Sequence, residues 1–326
     1  MQKIIILSYL LIITGCKSEK KIELANIEVN LKAELEYKIN AQLGEGAFWN
    51  YKTQELYWVD IESKTLNIYN PKTKHNKVFK TKSRIGTIVP INDEEVLIAL
   101  EDGVYNLNTY SGGSVLFKDM SNKLLESRLN DGKCDPSGRL WVGSMHLKQE
   151  HGKANLYTID SSGNLETKLQ NVTISNGIVW TSDKKTMYYI DTPTSQIKTY
   201  DYTDKTGEIS NEKVAVSIPL ELGYPDGMAI DEEDMVWVGM WNGNAVIRFN
   251  PKTGELLQKI EVPAHNVTAC AFGGKNLDTL YITTASIDMT EEEQKQYPLA
   301  GSIFKVVPGV KGVKSTFFKK PTVQNF

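Results

Sequence analysis

The chain has 326 residues, 37 Lys and Arg against 40 Asp and Glu, a net charge of −3 and 40% hydrophobic residues. An ordinary apolar fraction with nearly cancelling charge excludes a disordered chain, and the lack of a basic excess argues against nucleic acid as a partner. Three cysteines, an odd number, cannot build a disulfide framework.

The chain opens with Lys3 and an apolar run from Ile4 to Ile13, closed by Thr14-Gly15-Cys16. One charge, a short apolar stretch and small residues before a cut site describe a secretory signal over 1–15. The run is shorter than the ~20 apolar residues of a membrane-spanning helix. Ile13-Thr14-Gly15-Cys16 is similar to a bacterial lipobox, in which the cysteine carries lipid and becomes the mature N-terminus. The expectation is an exported protein of the bacterial envelope, anchored to a membrane through Cys16, with residues 16–33 as a polar tether.

From residue 34 the pattern changes to short apolar runs broken by turns. Leu35, Tyr37 and Ile39 alternate with Glu34, Glu36 and Lys38, one isolated strand that we expect to close a ring against the C-terminal end. Aromatic and β-branched runs then begin at Leu56, Val96, Leu140, Met187, Val236 and Leu280, at spacings of 40, 44, 47, 49 and 44 residues. Each is too short for a helix. A second strand follows on the same schedule, as in Leu66–Tyr69 before Asn70-Pro71 and Val246–Phe249 before Asn250-Pro251. No long amphipathic helix interrupts the series, and only Thr290 to Gln296 reads as a short turn or helix. Several strands per unit at this period predict a six-bladed β-propeller over 34–326, about four strands per blade. A β-sandwich would not explain six equivalent units, and a closed ring needs no protein partner to complete its core.

Equivalent positions of a propeller converge on one central channel. At the start of the innermost strands stand Glu45-Gly46, Asp131-Gly132 with Asn130 before it, Asn176-Gly177 and Asp226-Gly227. Any one pair alone reads as turn chemistry. Four in one rotational register supply hard oxygen donors suited to Ca²⁺ or another hard divalent cation. Cys134 and Cys270 sit in strand-like contexts and read as small buried hydrophobes. His75, His146, His151 and His265 form no zinc-protease motif, and His146 and His151 read as solvated loop residues. No Gly-x-Ser-x-Gly elbow is present.

Gly44-Glu45-Gly46-Ala47-Phe48-Trp49, Arg128-Leu129-Asn130-Asp131-Gly132-Lys133, Ile174-Ser175-Asn176-Gly177 and Pro225-Asp226-Gly227-Met228 together resemble the gluconolactonase/regucalcin (senescence marker protein) family. Phe272-Gly273-Gly274-Lys275-Asn276 and Ala300-Gly301-Ser302-Ile303-Phe304 extend the resemblance over nearly all of the chain after about residue 38. It implies a six-bladed propeller with one divalent metal (Ca²⁺, Zn²⁺, Mn²⁺ or Mg²⁺) in the channel, and hydrolysis of sugar lactones such as gluconolactone. By resemblance Glu45, Asn176 and Asp226 are the metal ligands, and Asp226 is also the general base. Arg128 and Asn130 match the substrate-contacting pair, with Asp131 placed beside them as a substrate contact. The segment Ser144 to His151 departs from the acidic residues that some relatives carry there, so the substrate is less well defined than the metal. The alternatives are another esterase, such as a phosphotriesterase, on the same scaffold, and a non-enzymatic calcium- or sugar-binding lipoprotein.

Overall fold

The computed structural model describes residues 29–320; the signal, Cys16 and most of the tether lie outside this range. Six antiparallel sheets of four strands follow one another around the ring. Blades one to five cover 44–80, 85–119, 127–172, 175–217 and 224–261, each in simple inner-to-outer order. Blade six uses Asn266–Gly273, Thr279–Ala285 and Ile303–Val306, and takes its outer strand from the other end of the chain, Glu34–Tyr37. This is the ring closure expected from the alternating N-terminal strand.

The six aromatic runs form the second strand of each blade, from Glu55–Asp60 to Thr279–Ala285. They are apolar on both faces because each blade is sandwiched between two others, as for Trp58, Trp141 and Trp237, which have no exposed surface. The outer strands face solvent and alternate instead, as in His75–Lys80. In blades three and five a buried Asp that ends the inner strand organises the next turn. Asp135 Oδ2 accepts from Trp141 Nε1 (2.9 Å) and Arg139 Nε (2.6 Å). Asp231 Oδ2 accepts in the same way from Trp237 Nε1 (2.9 Å) and Arg248 Nε (2.8 Å).

Val29–Lys32, within the stretch read as tether, runs parallel to the outer strand of blade five as a fifth strand. The short helix is present at Glu291–Gln296, started by a reciprocal capping box between Thr290 and Glu293. The repeat pattern does not announce the course of the chain after Val306. The C-terminal segment crosses one mouth of the channel as a strap, its Gly312, Phe318 and Lys319 amides donating to the carbonyls of Leu277, Pro90 and Gly138. Phe318 is buried, and Phe317 packs on Phe48 and Tyr51 at ring distances of 5.9 and 5.2 Å.

The closure is fastened by Glu36. Its carboxylate accepts from Tyr69 Oη (2.7 Å) and Lys74 Nζ (2.6 Å) of blade one, and pairs with Lys305 Nζ (3.0 Å) of blade six. Replacing Glu36 by Ala strands these donors and is expected to cost about 2–3 kcal/mol. Glu34→Ala, on the exposed side of the same strand, should cost no more than about 0.5 kcal/mol. Urea unfolding of the two variants measures the difference; equal midpoints would mean that the clasp does not hold the ring.

Candidate metal centre and substrate cavity

Each inner strand is bulged near the start of the channel. The register with the second strand slips between Glu45 and Phe48, Ile85 and Thr87, Leu129 and Gly132, Ser175 and Ile178, Pro225 and Met228, and Val267 and Ala269. A bulge re-aims side chains and breaks the ladder, and here it occurs once per blade at one level of the ring. The glycines after Asn176 and Asp226 are set by packing rather than by turn conformation. A Cβ on Gly177 would lie 2.5 Å from Met228 Cβ and 2.8 Å from Asp226 O, and one on Gly227 would lie 2.6 Å from Ala269 Cβ. Inner strands of adjacent blades can approach this closely only without those side chains.

Glu45, Asn130, Asn176 and Asp226 converge on one cavity of about 560 Å³, together with Arg128. All five are buried, between 5% and 7% exposed. The Glu45 and Asp226 carboxyl groups are close neighbours, each acting on the other's ionisation. Burial, reinforced by the nearby Asp131 charge, pushes Glu45 up to about 8. Burial and then the Glu45 charge push Asp226 well above the ordinary carboxylate range. Asp226 Oδ1 is fully buried and has no hydrogen-bond partner.

The amides are oriented by their partners. Asn176 Nδ2 donates to Thr192 Oγ1 (2.7 Å), which itself donates to Pro225 O (2.8 Å). The Asn176 amide oxygen is thereby turned toward its neighbours, where it accepts from Asn130 Nδ2 (3.1 Å). Asn130 Oδ1 in turn accepts from Arg128 Nη1 (2.6 Å). Burial pulls Arg128 down to about 10 against the opposing charges of Glu62 and Glu45.

Asp131 stands apart from this group. At the bulge Asn130 takes the position that Asn176 and Asp226 hold in their blades, so the Gly-based alignment is one residue out of step in blade three. Asp131 does not line the cavity; its Oδ1 turns back onto its own Gly132 amide (2.7 Å), and Oδ2 is buried without a partner. Its charge nevertheless acts on Glu45 and Asp226. His146 is buried and accepts the Glu150 amide at 3.4 Å, so it is not a solvated loop residue, whereas His151 is exposed. The segment that departs from the family pattern contributes Met145, Leu147 and Gln149 to the cavity wall. Cys134 and Cys270 are buried free thiols at the far end of the channel, beneath the strap.

Sequence reasoning missed Glu62, Arg84, Tyr224 and Trp241, which also line the cavity. Arg84 could have been found from its place just before the bulge of blade two, the counterpart of Arg128 in blade three.

The donor set suits a hard divalent cation. Among the described residues no group of three His, Cys, Asp or Glu could hold a metal. The Glu45 and Asp226 carboxylates with the Asn176 amide oxygen would supply the donors instead, and a cation would satisfy the orphaned carboxylate oxygen beside a second buried carboxyl. Without metal, the raised Glu45 and Asp226 favour the protonated fold. The stability contributed by this pair should therefore be fully present below about pH 4.5, the ordinary value, and be lost as the pH rises toward about 8. Calcium should remove that loss by replacing the protons. Melting temperatures at pH 5 and pH 8, with chelator and with calcium, check this; parallel profiles would count against a cation at these residues.

The profile of the SMP-30/Gluconolactonase/LRE-like region matches residues 43–286. The protein named "Putative sugar lactone lactonase YvrE" of Bacillus subtilis (strain 168) is 38% identical over 84% of this chain and 94% of its own length. Regucalcin of Danio rerio is 34% identical over 87% of this chain and 97% of its own. The crystal structure of a calcium-binding protein, regucalcin, from Agrobacterium tumefaciens str. C58 superimposes with a TM-score of 0.85 at 25% identity, covering 89% of this chain and 98% of that one. With its motifs, ring and channel residues in place, the chain belongs to the SMP-30/gluconolactonase/LRE-like family.

Proposed function

We propose that this protein is a metal-dependent lactonase that opens sugar lactones such as gluconolactone. The observation that carries the reading is the unpartnered Asp226 Oδ1 beside Glu45, facing a cavity that also holds the buried guanidinium of Arg128. Glu45, Asn176 and Asp226 would hold the cation. When bound, it supplies Lewis acidity for the ester carbonyl and lowers the pKa of water. Calcium is the first choice because all three donors are hard oxygens, and the Agrobacterium relative is described as calcium-binding.

The chain's own residues do the rest. Asp226, which lines the cavity and would also hold the cation, is placed to accept the proton of the attacking water. Arg128 is fixed by Asn130 through Nη1 and can direct its remaining donors at substrate oxygens as a planar fork. Thr192 and Asn130 hold the Asn176 amide in one orientation, so the donor set is formed before substrate arrives. The strap crosses the far mouth, and substrate and product would use the cavity side.

The test is lactone opening across a panel of sugar lactones, with and without chelator. Calcium-dependent turnover is expected, and Asp226→Asn should lower kcat by about 10²–10⁴. Full activity in chelator, or an active Asp226→Asn variant, would overturn the reading.

We further propose export and lipid anchoring through Cys16, supported by the apolar run and the lipobox-like Ile13-Thr14-Gly15-Cys16. Cys16→Ser should move the protein from the membrane fraction to the soluble fraction, as read by fractionation of the source bacterium; membrane retention of the variant would remove the anchor.

A further inference from the structure

One wall of the cavity carries charged groups that the proposed chemistry does not use. Arg84 stands just before the inner strand of blade two, between the turns that carry Glu62 in blade one and Glu101 in blade two. Its Nε meets both Glu62 oxygens, at 2.9 and 3.0 Å, and its Nη1 meets Glu101 Oε1 at 3.2 Å. Nη2 has no protein partner among the described residues. Glu62 is the carboxylate that acts most strongly on Arg128, yet no described carboxylate lies within ion-pair distance of that guanidinium. Arg128, Glu62 and Arg84 all face the cavity.

These four groups, two arginines and two glutamates, carry no net charge. Donors and acceptors alternate along them, and the space between Arg128 and Glu62 is wider than an ion pair. A hydroxyl fits such a space, accepting from Arg128 and donating to Glu62. A phosphate or carboxylate does not, because Arg84 is already neutralised by two carboxylates and Glu62 repels a further anion. The wall gives no net attraction to offset the desolvation of a charged substituent. The rest of the lining includes Met145 and Leu147 of blade three, the first paired across the strand with Arg128, and Tyr224 and Trp241 of blade five, apolar and aromatic groups that suit the C–H face of a ring.

Resting on the lactone-opening reading, we infer that Glu62 and Arg84 are specificity-determining residues that select lactones with neutral polyhydroxyl substituents and reject those bearing phosphate or carboxylate. Arg84 acts as a positioning residue for Glu62 and offers one free donor of its own.

The experiment compares glucono-1,5-lactone with its 6-phosphate on the calcium-loaded protein. The unphosphorylated lactone should be favoured in kcat/KM by at least about tenfold. Glu62→Gln should lower kcat/KM for the neutral lactone by about tenfold and raise it for the phosphate ester, narrowing the ratio from both sides. Arg84→Lys keeps the charge but loses the fork, and should raise KM for gluconolactone several-fold with kcat unchanged. It also serves if Glu62→Gln fails to fold. Preference of the wild type for the phosphorylated lactone, or equal losses on both substrates in Glu62→Gln, would overturn the inference. Binding of 1,5-anhydroglucitol and its 6-phosphate, followed by calorimetry, reads the same wall without turnover. If no lactone is opened the functional reading fails, while tighter binding of the neutral polyol that is lost in Glu62→Gln still supports the selective wall, and its absence refutes it.

Discussion

Two carboxyl groups, Glu45 and Asp226, meet on the axis of the ring away from water. Buried like charges in close proximity cannot both ionise without compensation, so this contact demands either a proton or a cation. The surrounding architecture keeps that demand in place. Bulges bring the side chains to a common level, and Gly177 and Gly227 let the strands behind them close to van der Waals contact. Thr192 holds the third donor, Asn176, so that the amide cannot turn its nitrogen inward without losing a 2.7 Å bond. A loosely packed ring would let the carboxyls separate and relax. Ring closure through Glu36 therefore bears on the site, although it lies on an outer strand.

The ring is sixfold in backbone but not in chemistry. All six inner strands are bulged, yet blades one, two and six place Gly46, Gly86 and Thr268 where blades three to five place Asn130, Asn176 and Asp226, and blade one supplies Glu45 from one residue earlier. A Cβ at Gly86 would lie 2.4 Å from Leu129 O and 2.6 Å from Asn130 O, so this glycine lets blade three carry Asn130 toward the axis. Thr268 gives its hydroxyl to the carbonyl of Gly44, the residue before Glu45. Blades two and six support their neighbours' donors instead of adding their own.

Much of this was legible in the sequence because a propeller repeats its burial pattern. The second strands show as aromatic and β-branched runs since both of their faces are covered, and a polar-Gly pair recurs where inner strands crowd. Asp131 shows the limit of that signal. Its Gly132 mimics the pairs in the other blades, but two residues oppose one at a bulge, and the dipeptide alone does not say which of Asn130 and Asp131 faces the cavity. The pairing of Glu62 with Arg84 was invisible for a different reason. The two lie in turns and before a strand, separated by 22 residues, and only the rotation between blades brings them together. The strap after Val306 has no periodicity because it belongs to no blade, and its course is fixed by scattered bonds to four of them. His146 looked like a loop residue because its neighbours are polar, but it ends a second strand and is buried with it.

The two ends of the channel have opposite characters, and this asymmetry follows from strand direction. Inner strands all start at the same mouth, so their first residues form the polar floor of the cavity. Their last residues, including Ala47-Phe48, Val179-Trp180, Ala229-Ile230 and Ala271-Phe272, form an apolar ring at the other end. An exposed apolar ring would attract other chains, and the strap covers it with Phe317 and Phe318 anchored on blades one to three. The same directional rule that gathers oxygen donors at one mouth therefore creates the need for a cover at the other, and the C-terminal segment is the part of the chain left over to supply it.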